Sequence, residues 1–409
     1  MNKLNNISHL FNKDLNQYST IGDIPWAFSN PEESKQSWVD KVHSYFLSEK
    51  NELSYLQNKL STNSITGSKK IRIQQFVSDK NSHLKHMDKL LSEFKTNIES
   101  PTIIDKQNIL SYQDLIFRDW VWGKEEIKEY NDYIIKGLSG SEKNILVLGA
   151  GSCGLSYELA KNSEANIVAT DINPYLFLTA KKITSKKHIK LFEFVPHPED
   201  IKNVSIKHEI SPVQELPNHH MVFCDFKDMP FKESSFDLII GCWFFDIVDT
   251  KIEDSIAHIN RYLNEDGSTI YIGPSNFHKS QTVDQLTSNE ILESFTNNYY
   301  SCSFELKKIS YLNNPSSSYK RIEDILFVKA INPKNVTTIK STNEIGFEYT
   351  ADLHAYKQKL SIFSKILNNV DQSMSFDELA IKLESEFDFN SEEAKFYARS
   401  FMTKLFLEI

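Results

Sequence analysis

Apolar residues fall into distinct patterns along this chain, and each predicts a different element. Short unbroken apolar runs, Ile145–Leu148, Asn166–Thr170, Met221–Cys224 and Phe236–Phe245, predict strands buried on both faces of a parallel sheet. Helical spacing runs from Ser34 to Phe94, through Trp38, Val42, Tyr45 and Phe46 and later Leu84, Met87, Leu91 and Phe94. It returns over 107–138, Leu155–Lys161, Pro174–Thr184 and Asp254–Tyr262, so helices alternate with strands. The turn Leu263–Gly267 leads into a strand at Ser268–Ile272, and after a helix from Ser288 two more strands follow near Phe304–Ile309 and Ile325–Val328. Residues 1 to about 20 are Asn-rich and read as a mobile arm. Residues 192–218, with Pro196, His197, Pro198, Pro212 and Pro217, read as a long connection.

This alternation predicts an α/β fold around a Rossmann-like sheet, in a chain of 409 residues that has room for more than one unit. The expected divisions are a helical N-terminal region over 1–100, the sheet domain over 101–332 and a small helical piece over 333–409. In that last piece Ser375–Glu378 opens a helix in capping-box style, and Leu379, Leu383, Phe387, Phe401 and Leu405 share a buried face.

The stretch from Asn144 to Gly154, NILVLGAGSCG, organises the rest. A buried strand runs into a glycine turn, and the helix behind it offers unpaired N–H groups to a ligand. The next strand ends on Asp171, placed to bond a ribose diol. Gly149-x-Gly151-x-x-Gly154 also fits a dinucleotide fingerprint, so NAD and S-adenosylmethionine both remain open at this point. The downstream order favours S-adenosylmethionine. Acidic residues close successive strands at Asp171, Asp225 and Asp246, and the strand after the Asp266-Gly267 turn with the final Glu323–Val328 run makes the usual close of a methyltransferase sheet. A dehydrogenase would need a second mononucleotide half and a catalytic His, Lys or Tyr.

Charge and cysteine content narrow the partners. A net charge of −9 with dispersed lysines argues against a nucleic-acid binder, and the absence of a signal peptide or long apolar span argues against a membrane. Cys153, Cys224, Cys242 and Cys302 have no CxxC spacing and suit buried thiols in a reducing cytoplasm. No metal is expected: His83 and His86 lack a third ligand and read as a solvated helix face, and His219-His220 as a loop.

Several runs then resemble one family, the carnosine N-methyltransferase-like enzymes, over roughly Ser34 to Ala330. They are Arg118-Asp119-Trp120, Gly149-Ala150-Gly151, Asp225-Phe226, Cys242-Trp243-Phe244-Phe245-Asp246 and Gly273-Pro274-Ser275-Asn276-Phe277-His278. The resemblance implies a class I S-adenosylmethionine-dependent N-methyltransferase. It places Arg118, Gly149, Gly151, Asp171 and Asp225 at the cofactor, with Trp120, Ala150, Ile172, Phe226 and Cys242 beside them. Asp246 and His278 would be catalytic and face an acceptor imidazole, and Phe245, Tyr319 and His197 would complete the substrate wall. A carboxylate that takes one imidazole N–H leaves the other nitrogen as a lone pair and steadies the cation that forms. Asp246 fits that role, or that of a helix N-cap. His278 suits a proton carrier or hydrogen-bond donor, or is a surface histidine.

The chain also departs from the family pattern. Leu115 stands where the family has Gln, Asp171 where it often has Glu, and Tyr319-Lys320-Arg321-Ile322 replaces a tyrosine-rich run. Residues beyond about 333 have no counterpart. They weakly resemble winged-helix-like modules that hold leader peptides, with a packing or homodimer appendage as the plainer reading. The expected substrate is a small molecule or a peptide. A methyltransferase acting on a ribosomally made peptide, or a cofactor-binding protein without catalysis, are the alternatives.

Overall fold

Both faces of the central strands are apolar, so helices must cover both sides. A computed structural model describes residues 3–62, 64–95, 109–185, 188–277 and 284–334, with Ile381 and Ser385 beyond them. The chain divides into two compact units, Met1–Asn335 and Val336–Ile409. In the second unit only Ile381 and Ser385 are described, both helical and exposed, and the expected C-terminal caps and apolar face lie outside the described residues.

The strands of the first unit are β1 (Ser19–Ile21), β2 (Ile24–Trp26), β3 (Asn144–Leu148), β4 (Asn166–Asp171), β5 (Ile189–Glu193) and β6 (Ile206–Ile210). They continue with β7 (His219–Phe223), β8 (Phe236–Cys242), β9 (Leu263–Pro274), β10 (Tyr299–Ser310) and β11 (Ile322–Pro333). The helices are α1 (Pro31–Ser61), α2 (Gly67–Leu90), α3 (Asp114–Phe117), α4 (Lys124–Gly137), α5 (Gly154–Lys161), α6 (Pro174–Thr184), α7 (Ile252–Asn260) and α8 (Ser288–Asn298).

Nine strands form one sheet in the order β1-β2-β7-β4-β3-β8-β9-β11-β10. From β2 to β9 neighbours are parallel, and β11 and β10 close the sheet as an antiparallel hairpin. The seven strands from β7 to β10 are the Rossmann-like methyltransferase sheet that the sequence predicts. In β3, Ile145 and Val147 join the core under α4 and α5, while Leu146 and Leu148 join the opposite core under α7 and α8. α1, α2 and α6 pack on the former face, against Ala169, Met221 and Phe223. Among the described residues no helix is long and apolar enough to cross a membrane. Nor does any group of three or more His, Cys, Asp and Glu among them stand ready to hold a metal ion.

Four expectations are corrected. The polar N-terminal stretch is not an arm: Ile7, Leu10 and Phe11 are 2 % exposed or less, and Lys232 N donates to Leu10 O at 2.8 Å. Three apolar side chains spaced among asparagines were enough to anchor it. The proline-rich connection contains a hairpin, β5 with β6, paired from Ile189↔Ile210 to Glu193↔Ile206. His83 is buried, bonded to the Tyr45 hydroxyl at 3.1 Å, and burial pushes its pKa down to about 3; His86 is pushed down to about 4 in the same way. His219 and His220 begin β7 and are buried, with His219 Nε2 2.9 Å from Ser156 Oγ.

Phe11 meets Phe231 edge-on, with ring centroids 5.0 Å apart. Phe11→Ala should therefore cost about 3 kcal/mol or more. A lowered urea midpoint checks this, and an unchanged one would return residues 3–12 to the status of a loose arm.

Candidate active site

The chain leaves β3 toward β4 on one side and reaches β8 on the other, so the strand order reverses at β3. A crevice opens beyond the carboxyl ends of parallel strands at such a point. Two loops border it, the glycine turn after β3 and residues 243–246 after β8. Gly149 and Gly151 have φ of +55° and +58°, a region that L side chains disfavour. A Cβ on Gly149 would lie 2.5 Å from Phe244 Cδ2, and one on Gly151 would lie 2.9 Å from Leu115 Cδ1. The chain's own Phe244 and Leu115 side chains thus press on the two glycines and leave no room for a Cβ at either.

Asp171 ends β4 beside this turn. Its Oδ2 accepts from Gly151 N at 2.9 Å and its Oδ1 from Asn173 N at 2.8 Å. Burial pushes its pKa up to about 6, against the pull of these backbone bonds. Ile172 N bonds this carboxylate as well, which leaves one lone pair for a further donor. Ala150 and Ile172 are half-buried alongside. One strand further, Asp225 is exposed and accepts from Lys227 N at 2.9 Å, while Phe226 is buried with its ring 5.0 Å from that of Phe244.

Behind the glycine turn, residues Arg118–Trp122 form a single turn of π-helix, closed by Gly123 N on Arg118 O at 2.8 Å. Such turns are rare and occur often at functional sites. This segment anchors the glycine turn. Asp119 Oδ2 accepts from Ser152 Oγ at 2.6 Å and from Gly154 N at 2.9 Å, and Trp120 Nε1 donates to Ser152 O at 2.8 Å. Arg118 is buried between carboxylates, with Nε 2.8 Å from Asp119 Oδ1 and Nη1 3.3 Å from Glu126 Oε1. Burial works against its charge, but Asp119 and Glu126 outweigh that and hold its pKa above the ordinary value. Leu115, in the place of a family Gln, packs on Gly151, and its carbonyl accepts from Ser152 Oγ at 3.0 Å.

On the other border, β8 ends at Cys242 rather than at Phe245. Burial pushes the Cys242 thiol up to about 12, which keeps it protonated. Trp243 turns into the left-handed region at φ +52°, donates from its backbone N to Ile272 O at 2.7 Å, and stacks on Tyr311 at 3.8 Å between centroids. This reversal sends Phe245 into the core, 0 % exposed against Tyr271 and Phe295, so it cannot line a substrate wall. Asp246 follows, half-buried. It caps no helix, since α7 starts at Ile252 with Lys251 at its N-cap. Its charge adds to burial in raising the pKa of Tyr112, Tyr271 and Tyr311.

His197 and Tyr319 are brought together, rings 5.9 Å apart and both exposed, and His197 O accepts from Ser318 N at 2.9 Å. His278 lies outside the described residues. The sequence reading missed Tyr112, Glu126, Glu193 and Tyr311. Tyr112 is six residues before Arg118, and only its closeness to that motif could have signalled it.

Residues 94–331 match the family described as carnosine N-methyltransferase, more than half of the chain. The chain belongs to the carnosine N-methyltransferase family. It is a methyltransferase, and its cofactor is S-adenosylmethionine. The crevice fits that nucleotide in the chemistry of its donor set: Asp171 ends β4 beside the glycine turn and stands there as an acceptor. No curated protein matches the chain. Similar solved structures include an S-adenosyl-L-methionine-dependent methyltransferase from Methanococcus maripaludis described as putative, 16% identical, covering 57% of this chain and 99% of that one at a TM-score of 0.36. Another, a SAM-dependent methyltransferase from Methanosarcina mazei, is 14% identical over 49% of this chain and 96% of that one, at 0.35. A third, from Thermotoga maritima and titled a possible histamine N-methyltransferase, is 11% identical over 53% and 99%, at 0.31. Likenesses this distant carry no functional weight.

Gly151→Ala should destabilise the protein by about 1–2 kcal/mol or more, from φ strain plus the clash with Leu115. In a Leu115→Ala background only the φ part should remain, so a double-mutant cycle in urea should show coupling between the two sites. Strict additivity would mean that Leu115 does not press on the turn.

Proposed function

We propose that this chain methylates a ring nitrogen of an imidazole, carried by a small molecule or a histidine-containing peptide. When bound, S-adenosylmethionine supplies an electrophilic methyl group on a sulfonium. Asp171 would accept from the ribose hydroxyls, Asp225 and Phe226 would hold the adenine end, and Gly149, Ala150, Gly151, Ile172 and Cys242 would line the bed. Trp120 would act from behind, through Ser152. Arg118, which has unused N–H donors on its inner fork, would meet the cofactor's carboxylate.

The acceptor side rests on Asp246. What supports the reading is its position just past β8, where the strand order reverses, with a field that reaches three tyrosine hydroxyls. A carboxylate there takes one imidazole N–H and orients the opposite lone pair along the methyl transfer axis. As the N–CH₃ bond forms and the S–CH₃ bond breaks, the sulfur would leave as a neutral thioether and the ring would take the positive charge, which the carboxylate would stabilise until the N–H proton leaves to solvent. Trp243 and Tyr311 offer a flat aromatic face for such a ring. His278 would receive or donate a proton, on the family resemblance alone. The family name supports the imidazole; the departure at Tyr319-Lys320-Arg321-Ile322 leaves the identity of its carrier to experiment.

Two outcomes are expected. With a panel of imidazole compounds and peptides, mass spectrometry should find the gain of one CH₂, and Asp246→Asn should lower kcat by about 100-fold or more while the cofactor Kd stays within about threefold. Full activity in that variant, or methylation confined to non-imidazole acceptors, would overturn the reading.

The second concerns pH. A carboxyl raised from 3.8 to about 6 favours the folded state below the lower value, and that contribution is lost as pH rises through the higher one. Ribose hydroxyls donate to the ionised form, so cofactor binding has the opposite dependence. Affinity measured by calorimetry should fall about tenfold per pH unit below the Asp171 pKa. Asp171→Asn should bind weakly with no such inflection. A pH-independent Kd in the parent protein would remove Asp171 from the ribose.

A further inference from the structure

The β5–β6 hairpin lies outside the nine-stranded sheet, yet its last β5 residue reaches far across the molecule. Glu193 is buried, with a side chain 3% exposed, and accepts three hydrogen bonds. Its Oε1 takes Trp122 Nε1 at 3.0 Å and Asn314 Nδ2 at 2.8 Å, and its Oε2 lies 2.7 Å from His208 Nε2. A carboxylate accepts only, so His208 carries its proton on Nε2 here. One side chain thus joins the end of the π-turn, the hairpin and the segment between β10 and β11.

That segment, residues 311–321, is closed on itself by Tyr311 N on Arg321 O at 3.0 Å and Asn313 Nδ2 on Arg321 O at 2.7 Å, and is tied to its surroundings at several points. Leu312 N donates to Glu126 Oε2 at 2.8 Å, in the left-handed region at φ +48°. Asn314 is buried, accepts from Ser316 N at 2.8 Å with its side chain and from Lys320 Nζ at 2.7 Å with its carbonyl. Beyond it, Ser317 Oγ donates to Pro196 O at 2.7 Å, and Glu199 N to Ser316 O at 3.2 Å. Residues 196–199 and 314–319 therefore form one wall, which holds His197 and Tyr319, and Glu193 stands at its base. At the near end of the wall is Tyr311, stacked on Trp243.

We propose that Glu193 is a positioning residue for the methyl acceptor: acting through Asn314 and Trp122, it fixes the wall that ends in the Tyr311–Trp243 stack. The proposal rests on the reading of Asp246 and that stack as the acceptor site. Glu193 itself touches neither acceptor nor cofactor. The hairpin thereby acquires a task, since it delivers this carboxylate to a loop more than a hundred residues downstream.

Glu193→Ala removes the acceptor from three buried donors. Glu193→Gln keeps Oε1 for Trp122 and Asn314, and its amide can donate to His208 in the other tautomer. In Glu193→Ala the acceptor KM should rise about tenfold or more with the cofactor Kd within about twofold, and Glu193→Gln should recover most of the loss. Amide hydrogen exchange on the full chain with cofactor and no acceptor should quicken over 312–321 in Glu193→Ala, and not over 145–154. An unchanged KM, unchanged exchange in that segment, an equal loss of cofactor affinity, or a Gln variant as impaired as Ala would each overturn the proposal. Failure of the imidazole reading looks different: the parent protein would not turn imidazoles over, while the exchange contrast between Ala and Gln would persist.

Discussion

The Asp119 carboxylate is fully enclosed, and its two oxygens face opposite ways. One is gripped by Arg118; the other receives Ser152 Oγ and Gly154 N at the start of α5. A buried charge of this kind costs several kcal/mol unless every lone pair is used, and removing one partner leaves the rest exposed to that cost. Here the partners include the glycine turn itself. The glycine turn is therefore held from behind by this buried ion pair, and the same arginine continues through Glu126 to Leu312 beside the aromatic stack. The glycine turn and the segment after β10 share one buried ionic thread.

Backbone strain is concentrated along the same thread. Tyr112, Cys153, Trp243 and Leu312 all hold positive φ, each at a cost of about 1–3 kcal/mol. Hydrogen bonds and packing around them hold the strain in place: Cys153 N on Ala150 O, Trp243 N on Ile272 O, Leu312 N on Glu126. Such a site spends little on rearrangement when its ligands arrive, which suits a reaction that depends on aim.

Much of the sheet was legible in the sequence because burial on both faces leaves apolar runs that polar turns cannot imitate. Of the three acids read as closing strands, Asp171 ends β4, while Asp225 and Asp246 follow the ends of β7 and β8 by two and four residues. Phe245 was misread for a related reason. The unbroken apolar run carries the strand through Phe245, but Trp243 reverses the backbone and sends that ring inward, a change no hydrophobic pattern records. The β5–β6 hairpin was hidden by Pro196 and Pro198 between its strands and by Pro212 and Pro217 after them. Ile7, Leu10 and Phe11 were too sparse to register, and His83 looked solvated because its neighbours Lys85 and His86 are polar. Glu193 could not be found by any local rule, because its partners are supplied by three separate segments.

The π-turn at Arg118–Trp122 has a consequence for chain length. An α-helix would close this loop one residue sooner, so the turn holds one residue more than regular geometry needs. Loss of one residue within it would let the turn close as regular α-helix, whereas gain of one would swing everything downstream by about 100° around the helix axis. Arg118 would still reach Asp119, but the second tryptophan would face away from the hairpin and α4 would present a different stripe to the sheet. The spacing from Arg118 to Trp122 is thus tolerant of exchange in kind at Val121 and intolerant of an added residue.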